Sequence, residues 1–497
     1  MFYLLFLKLR NKDQKKSIMS FKILFASTFG LIKSTRKIET SHQNLLNDYN
    51  MFCEFEQSNE HKEFHELELI VNSPTFRQKK KELQHLTMKG SKEEAQLAEL
   101  RKLSKNSRLH KFYSVLKSDE LKRFEKVSDS EIMGKYKVLK VAVEKHSFAA
   151  LKKMDKQSKE YTLYTEFVQL HDSTDLTFFR DFRKSSRYRN YELMLESAER
   201  KRFEELQKIT DSDEFKARVA YLEDKQKWEK TEDAAKEKQY AELLKSPKLI
   251  NFQKYKNSNA FDFFRKWQLV FEDRFDSGKL DAEKWMSLTY GANKSLGHNF
   301  SQPGDLQAFT DEKNVSVSGN SLKIEVRREK AKGMQWQIPF GFVERDFDYT
   351  SGVVSTAAIE WWKHGILEAK VKYSPEHNLV DVLYLLGEEA SPQINLVEMG
   401  AKNRLGLLTK SSNGINAECE SISGLKKDEF YIFRLEWTAN SLVWTINERE
   451  ILNLTHNIPA FKMHLNAASI AIAEPNGSLP HQFEIGWVRF YQNQKKV

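Results

Sequence analysis

Three polar residues in an otherwise apolar stretch carry the clearest chemical signal in the sequence: Gln393, Asn395 and Glu398. A glutamate can donate or accept a proton in catalysis, whereas amide side chains can only hydrogen bond. Alternate residues of a strand share a face, so Gln393 and Asn395 should point the same way. Glu398 joins them only if a β-bulge inserts one residue, and bulges are common beside active sites. The spacing therefore predicts a bulged strand with a row of three polar side chains on one face.

The segments around this row occur in an order that resembles glycoside hydrolase family sixteen, which includes laminarinases and lichenases. The similarity covers about 265–493 and nothing N-terminal to it. The segments that carry it are Leu269–Asp276 with Trp285, Leu306–Thr310, Asn314–Ile324, Tyr349–Ser355, Lys363–Val371 and Phe430–Thr438. Members of that family carry Glu-x-Asp-x-x-Glu on one strand of a concanavalin A-like jelly roll. There the first Glu is the nucleophile, the Asp assists, and the last Glu is the acid/base.

The resemblance implies that Glu398 holds the acid/base position, Gln393 the nucleophile position and Asn395 that of the assisting Asp. Retaining hydrolysis needs two carboxyl groups about 5–5.5 Å apart, and an amide cannot replace an anionic nucleophile. We therefore expect a catalytically impaired domain. The double change Gln393→Glu with Asn395→Asp should restore turnover if the cleft is otherwise intact.

Substrate-binding residues are expected at Trp361, Trp362 and Gln307, with core packing as the alternative for the two tryptophans. Three functions remain open. The first is a non-hydrolytic protein that binds a β-linked glycan, or a protein, through a remodelled cleft. The second is an active endo-β-glycanase that uses Glu398 and an unidentified second carboxylate. The third is a purely structural interaction protein.

The first half of the chain has a different pattern. Glycine occurs only at positions 90 and 134 between residues 41 and 264, which favours helix. Residues that commonly cap helices precede apolar clusters repeatedly, at Ser91, Ser118, Ser158, Ser186, Ser212, Ser246 and Ser258. The loose repeat predicts either a helical array that spaces or docks something, with a possible protein partner, or an irregular helical domain.

After Trp267 the apolar residues alternate, which predicts an antiparallel β-sandwich. The expected fold class is thus a multidomain α and β protein, an all-α helical-repeat region followed by a jelly roll. We expect a tail over 1–40 that need not be ordered, helices over 41–264 and the sandwich over 265–497.

Bulk composition adds weaker expectations. The formal net charge is +10, concentrated in the first half, where Lys and Arg alternate with Glu and Asp; we therefore expect a solvated helical surface and no nucleic acid partner. Cys53 and Cys419 are the two cysteines, which favours a reducing, cytoplasmic compartment. The apolar stretches near Met1 and Met19, either of which could be the start, are too short to span a membrane. No cofactor and no metal are expected.

Overall fold

The computed structural model describes Ile23, residues 31–412 and residues 414–494. The two candidate start residues and most of the expected tail lie outside these described residues. The chain forms two compact units: Met1–Ser58 with Pro247–Val497, and Asn59–Ser246.

Every regular element that the structure describes between Thr35 and Lys266 is a helix, which confirms the predicted all-α region. The helices are α1 Thr35–Glu56, α2 Asn59–Val71, α3 Pro74–His85, α4 Lys92–Ser104, α5 Ser107–Leu116, α6 Asp119–Ser128, α7 Glu131–Val143, α8 Phe148–Leu151, α9 Lys159–His171, α10 Thr174–Lys184, α11 Ser186–Leu195, α12 Ala198–Asp211, α13 Asp213–Glu223, α14 Glu232–Leu243, α15 Pro247–Tyr255 and α16 Asp262–Lys266.

Serine caps begin many of these helices, because a serine hydroxyl can accept one of the N–H groups that the first turn leaves unpaired. Four predicted caps are confirmed, at Ser91, Ser118, Ser158 and Ser212. The cap of α11 is Ser185, one residue before the predicted Ser186. The helix predicted to start at Ser246-Pro247 is confirmed as Pro247–Tyr255, and the Ser246 hydroxyl donates to Glu60. Ser258 is not a cap, because α16 begins at Asp262 and the Ser258 hydroxyl accepts from the backbone N–H of Ala260.

The helices of Asn59–Ser246 pair across the unit. The chain runs out through α2–α7 and returns through α9–α14, and outgoing helices contact returning ones in nested pairs: α2 with α14, α4 with α12, α5 with α11, α6 with α10 and α7 with α9. Stacked aromatic rings join several pairs, for example Phe124 on Phe179 at 4.3 Å and Phe112 on Tyr191 at 5.2 Å. The unit is therefore one long helical hairpin.

The remainder of the chain is a β-sandwich, as predicted. Its strands are β1 Trp267–Asp273, β2 Phe300–Ser301, β3 Gln307–Phe309, β4 Val315–Val317, β5 Leu322–Gln337, β6 Gly341–Ser351, β7 Val353–Ser355, β8 Gly365–Tyr373, β9 Leu379–Leu386, β10 Gln393–Gly400, β11 Arg404–Ser411, β12 Gly414–Ser421, β13 Glu429–Trp437, β14 Leu442–Ile446, β15 Arg449–Leu454, β16 His464–Ala471 and β17 His481–Asn493. A short helix, α17 Tyr290–Ser295, lies between β1 and β2.

Two sheets enclose the core of the sandwich. One has the order β12-β11-β10-β9-β16-β7, and the other runs β15-β14-β13-β8-β17-β5-β6-β3, with β1 paired to β17 and β2 and β4 paired to β5. Apolar residues from both sheets fill the space between them, among them Leu383 and Ile394 from one sheet and Leu367 and Phe433 from the other. A smaller apolar cluster with Tyr384 covers the opposite face of the six-stranded sheet.

Contacts divide the chain at other places than the expected boundaries of 40/41 and 264/265, because α1 and α15 belong to the same compact unit as the sandwich. The Glu39 carboxylate of α1 accepts from Lys370 Nζ at 3.0 Å and from Trp487 Nε1 at 2.7 Å. Phe52 of α1 stacks on Phe252 of α15 at 5.0 Å. A polar anchor and an aromatic contact thus hold these helices within the unit, and neither is visible in the local sequence.

We expect Glu39→Ala to lower the free energy of unfolding by about 1–2 kcal/mol, because it leaves partly buried Lys370 and Trp487 donors without their acceptor. Urea denaturation of the full chain measures this. The matched control is Glu448→Ala, since the Glu448 ion pair with Lys33 is exposed and such pairs contribute about 0–1 kcal/mol. Equal effects of the two changes would contradict an anchoring role for Glu39.

A buried carboxylate on β9 is stabilised by two polar partners. Asp381 is fully buried; its Oδ1 accepts from Ser469 Oγ at 2.5 Å, and its Oδ2 lies 2.6 Å from His481 Nε2. Burial alone would lower the pKa of His481, but the charge of Asp381 and the hydrogen bond to it raise this pKa above its ordinary value. The charged form of His481 therefore stabilises the folded state.

We expect this contribution to be complete below the ordinary histidine pKa of about 6.5 and to be lost as the pH rises through the raised folded-state value. His481→Ala should then cost about 3–5 kcal/mol at pH 6, as for a broken buried pair, and clearly less at pH 8.5. Urea denaturation across this range, with wild type and variant side by side, provides the measurement. A cost that does not depend on pH would contradict the charged pair.

Candidate functional site

The polar row lies on β10, and the predicted bulge is present. The pairing register shifts between Asn395 and Glu398 against β11, and between Asn395 and Val397 against β9. Leu396 and Val397 both enter the main core, so Glu398 returns to the face that carries Gln393 and Asn395. This geometry confirms that the three side chains share one face.

A continuous chain of hydrogen bonds joins the row. Gln393 Nε2 donates to Asn395 Oδ1 at 2.7 Å, and Asn395 Nδ2 donates to Glu398 Oε2 at 2.9 Å. The backbone carbonyl of Asn395 accepts from Trp444 Nε1 at 3.0 Å, which ties the bulge to the core. Gln393, Asn395 and Glu398 are 4%, 0% and 1% exposed. The row is thus an internal network rather than an open catalytic surface.

Arg404, at the start of β11, completes this network. Its Nε donates to Glu398 Oε2 at 2.6 Å and its Nη2 to Glu398 Oε1 at 3.2 Å. Burial alone would lower the pKa of Arg404, but the charge of Glu398 raises it above its ordinary value, so the guanidinium stays charged. Both oxygens of Glu398 are therefore engaged, and the carboxyl would have to leave a charged partner before it could protonate a leaving oxygen.

Little open space remains beside the row. A cavity of about 50 Å³ is lined by Thr289, Tyr290, Gly291, Phe300, Gln302, Phe309, Tyr384, Leu386, Gln393, His464 and Asn466. That volume suits one or two water molecules, whereas pockets for small organic ligands measure about 300–1,000 Å³. No carboxylate lines the cavity. It cannot hold a sugar ring in this conformation.

One residue of the cavity lining, His464, makes no hydrogen bond through its ring. It is fully buried, and neither ring nitrogen has a hydrogen-bond partner within the described part of the chain. Burial lowers the pKa of His464 to about 4, so the ring is neutral at pH 7. Its ring packs on Trp361 at 4.3 Å and Tyr290 at 5.3 Å. A neutral imidazole of this kind can donate or accept one hydrogen bond to a small molecule in the cavity.

The three residues expected to bind substrate lie in three different environments. Trp361 is partly exposed; its Nε1 donates to Ala357 O, and its ring packs on Tyr290, which lines the cavity. Trp362 follows the core-packing alternative, because it is 1% exposed and stacks on Phe490 in the main core. Gln307 is fully buried, and its side chain accepts from the backbone N–H of Ala471, so it does not face a ligand in this structure. Only Trp361 remains near the cavity.

Sequence reasoning missed Arg404 and His464. The turn after Gly400 does reverse the strand and place Arg404 opposite Glu398, and that spacing was a usable signal. His464 sits on the separate strand β16, whose pairing with β9 leaves no local trace in the sequence.

No protein-family model matches the chain, and no curated protein matches it. Solved structures do match in fold, over the β-sandwich. The catalytic domain of an endo-1,3-β-glucanase (laminarinase) from Thermotoga petrophila RKU-1 is 21% identical, over 46% of this chain and 99% of that one, with a TM-score of 0.37. An endo-β-1,3-glucanase from Pyrococcus furiosus is 17% identical, over 46% and 95%, with a TM-score of 0.37. A non-specific endo-β-1,3(4)-glucanase from family GH16 is 18% identical, over 46% and 92%, with a TM-score of 0.37.

Proposed function

We propose that this chain is a non-hydrolytic relative of family-sixteen glycanases that binds a β-linked glycan, with the helical hairpin as a spacer or as a docking arm for a protein partner. The observation that supports a loss of hydrolysis is that hydrogen bonds hold the buried carboxylate of Glu398 in place. Its carboxylate is 1% exposed and accepts from Arg404 and Asn395. The position equivalent to the nucleophile is an amide, Gln393, so neither half of a retaining mechanism has its group in a working state.

An active enzyme with a second carboxylate finds no support at this site. The hydrogen-bond partners of Glu398 among the described residues are an amide and a guanidinium. The cavity lining contains amides, aromatics, a histidine and a threonine, without an acid. A hydrolase would need a carboxyl about 5–5.5 Å from Glu398 and room for a sugar between the two groups.

We expect the wild-type protein to release no reducing sugar from laminarin or barley β-glucan. We also expect Gln393→Glu with Asn395→Asp to stay inactive, because Arg404 would still hold Glu398 and the cavity would still be too small. A reducing-sugar assay on both proteins is the measurement. Turnover by either protein that Glu398→Ala abolishes would contradict the proposal.

We expect Glu398→Ala to lower the free energy of unfolding by about 3–5 kcal/mol, because it strands the buried charge of Arg404. Replacing both partners, Glu398→Met with Arg404→Met, should recover much of this loss. Urea denaturation gives the values. Glu429→Ala, which removes an exposed ion pair with Lys426, is the matched control and should stay within about 0.5 kcal/mol. A stable Glu398→Ala variant would mean that the carboxylate is kept for chemistry rather than for structure.

Glycan binding itself is tested with the full chain against immobilised laminarin and barley β-glucan. Retention on either glucan supports the proposal. Absence of binding to both would favour the purely structural interaction protein.

A further inference from the structure

The hairpin of β5 and β6 ends in a cluster of aromatic side chains, here called the aromatic tip: Phe300, Trp336, Phe340 and Phe342. Trp336 and Phe342 face each other across the two strands, with ring centres 4.9 Å apart, and Phe342 contacts Phe300 at 4.8 Å. Phe340, at the turn, is 77% exposed, and its neighbour Ile338 is 70% exposed. The rings of Phe300, Trp336 and Phe342 are partly exposed. Single exposed apolar residues are ordinary, but several that lie together mark an interaction surface.

The charges around the aromatic tip favour an uncharged partner. No charged residue occurs from Gly333 to Val343. The nearest flanking charges, Lys332 and Glu344, pair with each other at 3.2 Å. The next two residues of β6, Arg345 and Asp346, are again one cation and one anion. The segment therefore carries no net positive charge to hold an anionic membrane or a nucleic acid, both of which depend on such charge.

Two glutamine side chains of β5 lie beside the rings of the aromatic tip. Gln335 Oε1 accepts from Gln337 Nε2 at 2.9 Å and from Arg345 Nη1 at 2.7 Å. Gln335 is 2% exposed and its amide is bonded within the protein, so the partly exposed Gln337 is the amide that a ligand can reach. Flat apolar rings beside such an amide suit a sugar, because a pyranose presents C–H groups on its faces and hydroxyls around its edge.

The aromatic tip is continuous with the small cavity beside the polar row. Phe300 belongs to the tip and also lines the cavity. Gln335 Nε2 donates to the backbone carbonyl of Gln302, another lining residue. Because the cavity cannot admit a sugar ring, a glycan that reaches this part of the molecule would meet the exposed rings instead.

We infer that the aromatic tip is a binding surface for an uncharged β-glucan chain, held by stacking of sugar rings on Trp336 and Phe340. The inference rests on the proposed function and adds the location of binding: a surface hairpin instead of the former catalytic cleft.

The test compares full-length wild type with Phe340→Ser and with the double variant Trp336→Ser, Phe340→Ser, using laminarin as the probe in affinity electrophoresis and calorimetry. Leu193→Ser is the matched control, since Leu193 is 78% exposed and lies in the helical hairpin. Thermal unfolding of each variant verifies that it is folded; Phe340→Ser alone should be unaffected because the side chain is at the surface.

We expect at least a tenfold loss of laminarin affinity in both tip variants and none in the control. If wild type binds laminarin and both folded tip variants bind it equally well, the inference is overturned while the proposed function stands. If wild type binds neither laminarin nor barley β-glucan, both fail. Tip-dependent retention on neutral phosphatidylcholine vesicles, or tip-dependent dimerisation in ultracentrifugation, without laminarin binding, would instead identify a membrane or a second copy as the occupant.

Discussion

A carboxylate removed from water must find a cation or several hydrogen-bond donors, and this requirement organises the site around Glu398. Arg404 supplies two donors and Asn395 a third. The bulge in β10 is what brings Glu398 to the same face as Asn395. The amide at 395 is therefore suited to its place, because an aspartate there would bring a second negative charge against Glu398 with one guanidinium to balance both.

The same logic applies one strand away. Asp381 is buried on β9, and Ser469 and His481 are its partners. The buried polar side chains of this sheet thus satisfy one another, and the two buried carboxylates, Glu398 and Asp381, serve stability.

Much of the fold could be predicted from local sequence, because local physics determines it. Serine caps such as Ser118 and Ser158 mark helix starts through one hydrogen bond each, and the three-residue step from Asn395 to Glu398 is compatible with one shared face only through a bulge. What could not be predicted depends on distant partners. The place of Glu39 beside Trp487 and the burial of Trp362 both follow from tertiary packing that no short window of sequence contains.

The nested pairing of the helices has a consequence for how this protein can change. The chain leaves the sandwich unit after Ser58 and re-enters it at Pro247, and α1 and α15, the helices on either side of that gap, contact each other. The hairpin is thus an insertion into the sequence of the sandwich unit and forms a compact unit of its own. Adding or removing one outgoing helix together with its returning partner would keep the apolar stripes of that pair covered, whereas changing one member alone would expose the stripe that its partner covers. Such paired steps would leave the contacts within the sandwich unit unchanged, so the number of helix pairs is free to vary.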